Sequence, residues 1–248
     1  MNISGISEKN LIGKLLRIPL RLIPKTTILP ILQGRLKGKK WIVGSSNHGC
    51  WLGSYEFRKR QVFEGVIVWE SIVFDIGAHV GFYTLLTSVL VGPNGKVYAF
   101  EPMPENIYYL KEHLRINQIS NVRIIEAAVS DRCGVAQFKK TNNSYTGHLS
   151  LEGDILIETV SLDELISKGI LPAPQYIKID VEGAEMNVLV GARCFLMKNH
   201  PTLFLATHGD EIHKQCCQLL GSIGYHLIPI DGQILEQTDE LLAYYVKK

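Results

Sequence analysis

A short apolar run that ends in an acid and then bends through two glycines constrains this chain more than any other feature. Ile72, Val73, Phe74 and Ile76 are the kind of run expected of a central strand covered on both faces of a parallel sheet. Asp75 interrupts the run near its end. Gly77 and Gly81 follow four apart, where a backbone must bend sharply and admit a close neighbour. About 20 residues beyond Gly81 a second apolar run, over residues 96–100, ends in Glu101, the spacing expected for an acid that grips a ribose. The stretch predicts a strand, a tight turn and a helix bordering a nucleoside-binding crevice.

At 248 residues the chain has room for one full α/β domain and a small appendage. No stretch reaches the roughly 18 unbroken apolar residues of a membrane span, and the start lacks the pattern of a cleaved leader. The five cysteines, Cys50, Cys133, Cys194, Cys216 and Cys217, are odd in number and show no C-x-x-C spacing, which argues against a disulfide framework or a zinc site. A cytoplasmic protein is expected.

The net charge of +2 hides an asymmetry. Residues 1–40 carry nine Lys or Arg against Glu8 alone, so this segment is +8 and the remainder −6. Leu11, Leu15, Ile18 and Leu22 share one helical face and Lys14, Arg17 and Arg21 the opposite one, with Pro19 and Pro24 interrupting. Two readings fit: a weak contact of residues 1–40 with an anionic membrane surface, or, preferred, a short helix packed on the main domain.

The expected division is a basic extension and lead-in over residues 1–65 and a ligand-binding domain over residues 66–248. Residues 37–65 read as short strands. Tyr55 or Glu56 falls near the crevice mouth, or Trp51 and Tyr55 simply plug a domain edge. Helices over residues 81–90 and 104–117 alternate with strands over 96–100 and 121–125. Alternation then stops for a β insertion with strands over residues 135–139, 148–151 and 155–160 around a polar loop at 141–147. It resumes with strands over 176–180 and 202–206, helices over 181–196 and 210–220, and final strands over 225–230 and 242–246. The fold class is α/β, a Rossmann-like, mostly parallel sheet sandwiched by helices, with a small N-terminal appendage and a β insertion.

In such a sheet ligands bind beyond the carboxyl ends of the strands. Asp75, Glu101, Ser130 with Asp131, and Asp180 with Glu182 all fall at expected strand ends, so they should face one cleft. A dinucleotide fold wants G-x-G-x-x-G, whose helix N-terminus neutralises a pyrophosphate. Here Asp75-x-Gly77-x-x-x-Gly81 has an acid before the first glycine and no third glycine. A cofactor with an ammonium and a sulfonium and no phosphate suits it better, which describes S-adenosylmethionine.

Phe74-Asp75-Ile76-Gly77-Ala78-His79-Val80-Gly81-Phe82-Tyr83, then Ala99-Phe100-Glu101-Pro102 with Asn106 downstream, Ala127-Ala128-Val129-Ser130-Asp131, and Ile177-Lys178-Ile179-Asp180-Val181-Glu182-Gly183-Ala184-Glu185 resemble the successive motifs of the FkbM-type methyltransferases. The resemblance implies a seven-stranded class I fold and methyl transfer from S-adenosylmethionine, most often to a hydroxyl of a saccharide or other small acceptor. By the same resemblance Asp75, Gly77, Ala78, His79 and Gly81 border the methionine end of the cofactor. Glu101 takes the ribose hydroxyls, Ser130 and Asp131 border the adenine, and Asp180 and Glu182 lie beside sulfonium and acceptor. Methyl transfer needs alignment, exclusion of water and removal of one proton; Asp180, Glu182 and His208 are the candidates for the last. Two departures stand out: His79 where family members commonly carry Asn, and Ala206-Thr207 where an acid commonly precedes the histidine matched by His208. Glu185 reads as an acid favoured at a helix start.

No metal is expected, since His208 and His213, five apart, do not share a helical face; a site formed by Asp180, Glu182 and His208 would have to be tested by chelation. Two alternatives remain, an NAD-dependent oxidoreductase on a similar sheet and a non-catalytic S-adenosylmethionine-binding module. A nucleic-acid acceptor is disfavoured, because the basic charge is confined to the N-terminal segment and no D-P-P-Y or N-P-P-Y motif for a flipped base is present. The identity of the acceptor lies in loops such as residues 141–147.

Overall fold

The computed structural model describes residue 20 and residues 22–140, 147–149 and 155–246. The amphipathic pattern expected over residues 11–22 lies almost entirely outside the described residues, as does most of the loop at 141–147. Among the described residues no helix is long and apolar enough to cross a membrane.

The chain begins with an antiparallel ribbon of β1 (Ile28–Pro30) and β2 (Lys40–Ile42), then two helices, α1 (Gly49–Leu52) and α2 (Phe57–Val66). It then enters the main sheet through β3 (Ile72–Ile76), followed by α3 (Phe82–Leu90), β4 (Lys96–Phe100), α4 (Pro104–Ile116) and β5 (Val122–Ile125). A second sheet is built from β6 (Ala128–Val129), β7 (Gly134–Lys140), β8 (Gly147–Leu149) and β9 (Ile155–Val160), in the order β6-β9-β7-β8. The chain returns through α5 (Leu162–Ser167), β10 (Tyr176–Ile179), α6 (Glu185–Val190), α7 (Arg193–Asn199), β11 (Thr202–Ala206), α8 (Asp210–Ser222), β12 (Tyr225–Pro229) and β13 (Glu240–Tyr245).

The main sheet has seven strands in the order β12-β13-β11-β10-β3-β4-β5. The five from β11 to β5 are parallel, and β13 runs against both its neighbours. Strand order reverses between β3 and β10, which opens a crevice at their carboxyl ends. The apolar run of β3 serves both faces: Phe74 and Ile76 join the core containing Ile179 and Leu203, while Val73 joins Trp41, Phe63 and Phe204 on the other side. The expected α/β sheet and β insertion are both present.

Two local expectations differ from the structure. Residues 37–65 hold one short strand, β2, followed by helices rather than more strands. Helix α2 buries Lys59 and Arg60 along with Phe63, so it lacks the apolar stripe by which amphipathic helices are read. The helix expected over 181–196 is broken at Gly191, where a side chain would lie 2.0 Å from the carbonyl oxygen of Ser130. That carbonyl crowding, and acceptance by the Gly191 oxygen of bonds from Asp163 N–H and Ser161 Oγ–H, separates α6 from α7.

The lead-in segment packs firmly on the sheet. Trp41 is fully buried and stacks on His113 of α4 at 3.7 Å. Burial pushes His113 down to about 4, so it is neutral: Nδ1–H donates to Val80 O at 2.7 Å and Nε2 accepts from Ile42 N–H at 3.1 Å. One ring thereby joins β2, α4 and the turn after β3. Phe63 of α2 meets Phe204 of β11 with ring centroids 4.6 Å apart.

Candidate active site

A cleft of about 360 Å³ opens at the carboxyl ends of β3, β4, β10 and β11 and is closed on one side by residues 46–56 and on another by the start of β13. Its first wall is the turn after β3. Gly77 has φ 75°, and a Cβ there would lie 1.8 Å from Asp180 O, so only glycine lets this turn cross the end of β10. Gly77 N–H and Ala78 N–H both donate to Phe100 O, which ties the turn to β4. His79 has φ 52°, in the left-handed region that Asn, Asp and His enter most readily among non-glycine residues. The histidine therefore meets the same backbone requirement as the asparagine common in the resembled family.

That conformation aims His79 N–H at Glu101 Oε2, 2.8 Å away. Met103 N–H and Asn106 Nδ2 donate to the other oxygen at 3.0 and 3.1 Å. Glu101 is only 4% exposed. Burial raises its pKa, and the three donors oppose that rise. The carboxylate is thus held in one orientation at the tip of β4.

Asp75 has another partner set. It is 1% exposed, accepts from Thr84 Oγ1–H at 2.6 Å through Oδ2, and lies 3.4 Å from Lys178 Nζ through Oδ1. It supports the cleft from behind and does not line it. Lys178 also reaches Asp180 Oδ2 at 3.5 Å and donates to Gly77 O at 3.3 Å. A second buried lysine, Lys59 of α2, approaches Asp180 Oδ2 at 3.4 Å, Glu56 Oε2 at 3.5 Å and Glu240 Oε1 at 2.7 Å. Glu56 also accepts from Tyr83 O–H at 2.9 Å. Burial alone would raise the Asp180 carboxyl, but Lys178, Lys59 and His208 outweigh it and hold Asp180 well below the usual carboxylate range. Burial lifts Glu240 to about 7 despite Lys59.

His208 follows β11 directly. Its Nδ1 lies 2.7 Å from Glu185 Oε1. A carboxylate only accepts, so Nδ1 carries the proton and Nε2 faces the cleft, 3.9 Å from Asp180 Oδ1 and 3.7 Å from Glu182 Oε2. Glu185 is fully buried and also accepts from Gly183 N–H at 3.0 Å. The hydrogen bond that His208 Nδ1–H donates to Glu185 is the largest cause raising His208 to about 9, with the charges of Glu185, Glu182 and Asp180 adding to it against burial. Asp180, Glu182 and His208 each offer one ligand atom within 4.8 Å of the others.

Gly77, Ala78, His79, Glu101, Asp180, Glu182 and His208 therefore line one cleft, as do Tyr55 and Glu56. Asp75, Gly81, Ser130 and Asp131 do not. Gly81 caps α3, Ser130 is buried with its hydroxyl on Asp131, and Asp131 is exposed; Ala127, Ala128 and Val129 supply the wall at that strand end. Sequence reading missed Lys59, Glu240 and the positioning role of Glu185. Glu185 reads as an ordinary acid at a helix start, and its link to His208 appears only once β10 and β11 are adjacent. A second groove of about 850 Å³ continues from Thr207, His208 and Asp239 between α8 and the β12–β13 loop, with Gln218, Gln233 and Gln237 on its walls.

The family described as the methyltransferase FkbM domain matches residues 75–241. The chain belongs to this family. Hexuronic acid methyltransferase AglP of Haloferax volcanii is 31% identical over 124 residues, 49% of this chain and 50% of that protein. The 2-O-methyltransferase NoeI of Sinorhizobium fredii is 27% identical over 162 residues, 57% of this chain and 64% of that one. The crystal structure of methyltransferase FkbM from Methylobacillus flagellatus shares the fold with a TM-score of 0.53 at 22% identity, covering 73% of this chain and 45% of that chain. The chain spans half to two thirds of the length of the curated relatives it matches. Ala206 and Thr207 precede His208 in this chain, and the carboxylate partner of its ring is Glu185, which reaches it from a neighbouring helix.

Proposed function

We propose that the chain is an S-adenosylmethionine-dependent O-methyltransferase acting on a hydroxyl of a saccharide or similar small molecule. The observation that carries this reading is the Glu185–His208 pair, which presents an imidazole Nε2 at the mouth of an acid-lined cleft in an FkbM domain. The donor set suits the cofactor: Glu101, oriented by three donors, matches a ribose diol, the Ala127–Val129 wall matches an adenine face, and the carboxylates beside Asp180 match a cation. When bound, that cofactor supplies an electrophilic methyl group. The chain's own work is to hold the acceptor oxygen in line, exclude water and take its proton on His208 Nε2, with Glu185 keeping the ring in the required tautomer. Asp180 and Glu182 flank that nitrogen and stabilise the imidazolium as it forms.

The relatives named for a hexuronic acid and a 2-O position support a saccharide acceptor. The groove lined by Gln218, Gln233 and Gln237 supports it too, because each carboxamide offers both a donor and an acceptor to hydroxyl groups. A dinucleotide oxidoreductase gains no support, since a pyrophosphate would have to pass several carboxylates. The three-residue cluster around His208 is assigned to proton transfer rather than to a metal, because the Glu185 pair raises His208 and so favours a proton on Nε2, while Lys59 and Lys178 already lie against Asp180 Oδ2. All five cysteines are free thiols, which supports a reducing, cytoplasmic setting. Calorimetry with S-adenosylhomocysteine, followed by transfer of a labelled methyl group to saccharide acceptors, tests the reading; absence of binding would refute it.

A further inference from the structure

We propose that Glu56, Asp180 and Glu240 together receive the ammonium group of the cofactor's amino-acid tail, with Lys59 as the residue that positions all three. The inference rests on the cofactor reading above and adds to Asp180 three residues from outside the four sequence motifs, Glu56, Lys59 and Glu240. Glu56 precedes α2, Asp180 follows β10 and Glu240 opens β13, yet all three line the cleft. Beneath them Lys59 Nζ is buried and touches each carboxylate, at 3.5, 3.4 and 2.7 Å respectively.

Among the described residues the charge in this cluster does not balance. Lys59 and Lys178 serve Glu56, Asp75, Asp180 and Glu240, two cations for four carboxylates. Thr84 and Tyr83 contribute neutral hydrogen bonds to Asp75 and Glu56, but no positive charge. His208 approaches only the far oxygen of Asp180 and is shared with Glu182 and Glu185. Asp75 is buried and Glu56, Asp180 and Glu240 are only 22 to 27% exposed, so water screens their charge incompletely and a further cation beside them is favoured. Glu240 bears the mark of that deficit: its Oε2 is buried and has no hydrogen-bond partner among the described residues. A ligand carrying an ammonium beside Asp180 would supply the missing charge and donors.

Three ligands separate this site from the rest of the cofactor pocket: S-adenosylhomocysteine, its analogue lacking the amino group, and 5′-methylthioadenosine. With the full wild-type chain, calorimetry should show that loss of the amino group weakens binding about 30-fold or more, the scale of a charge-assisted hydrogen bond. In Glu56→Gln and Glu240→Gln, S-adenosylhomocysteine should weaken about tenfold while the deaminated analogue and methylthioadenosine bind as they do to the wild type. Lys59→Met should reproduce that selective loss and Lys59→Arg should restore most of it. Unchanged methylthioadenosine binding also certifies that each variant is folded. Equal binding of the first two ligands to the wild type, or equal weakening of all three by the variants, overturns the ammonium site. Failure of every adenosyl ligand to bind the wild type overturns the cofactor reading itself.

Discussion

His208 Nδ1 lies 2.7 Å from Glu185 Oε1, and Glu185 is fully buried at the start of the helix that follows β10. The pair joins the loops after two adjacent parallel strands, so the ring cannot rotate without breaking a charge-assisted bond. It turns a partly exposed histidine into an oriented one.

Activity should rise with pH as His208 loses its proton, with the ascending limb governed by a pKa near 9 in the free enzyme. Glu185→Gln removes the largest cause of the upward shift, so the limb should move to lower pH by about a unit while the maximal rate falls. His208→Gln should cost about 10²–10⁴ in kcat. A pH–rate profile of the three proteins checks this, and an unmoved limb in Glu185→Gln would remove Glu185 from its assigned role.

The same pair makes a stability prediction of defined sign. The folded pKa of His208 lies above its ordinary value of 6.5, so its contribution is complete below that pH and is lost as pH rises through about 9. Urea midpoints measured across pH 6 to 10 should therefore fall more steeply for the wild type than for His208→Gln.

Glu101→Gln should weaken S-adenosylhomocysteine about 10- to 100-fold in calorimetry, since a charged acceptor for a diol becomes a neutral amide. Asp131→Ala should leave the affinity within about twofold, because Asp131 is exposed and stands outside the cleft wall. A large loss in the second variant would return adenine recognition to Asp131.

Gly77→Ala should cost upward of about 3 kcal/mol in chemical denaturation, since it combines a left-handed φ with a clash against Asp180 O that no rotamer relieves. Wild-type stability in that variant would contradict the crossing of the turn over β10.

Treatment with a chelator followed by gel filtration should leave methyl transfer within about twofold of the untreated rate if His208 Nε2 carries a proton rather than a metal. Restoration of lost activity by a divalent ion would instead assign Asp180, Glu182 and His208 to a metal.

The main sheet was legible because β3 carries an apolar run broken only by Asp75 and each later strand ends in a polar corner. Glu101, Asp180 and Glu182 could be placed at one crevice because each falls at the end of an expected strand in a parallel sheet. Asp75 could not be assigned correctly to a side of the crevice, because alternation along a strand buried on both faces gives no signal of which way a lone acid points. Lys59 was invisible for the opposite reason: a lysine on a weakly patterned helix reads as solvated, and only the approach of Asp180 and Glu240 shows it buried. Glu185 illustrates a third limit, since its partner is 23 residues away and the contact depends on strand adjacency.

The bond from Lys59 to Glu240 spans 181 positions of the chain. A growing polypeptide that has already released α2 and the first parallel strands still lacks the carboxylate that Lys59 holds most closely, so the site remains electrically unfinished until β13 has left the ribosome and paired between β11 and β12. With the proposed ammonium site, competence for cofactor binding becomes a late event of synthesis, and products stopped before Glu240 carry all four sequence motifs without the carboxylate nearest Lys59.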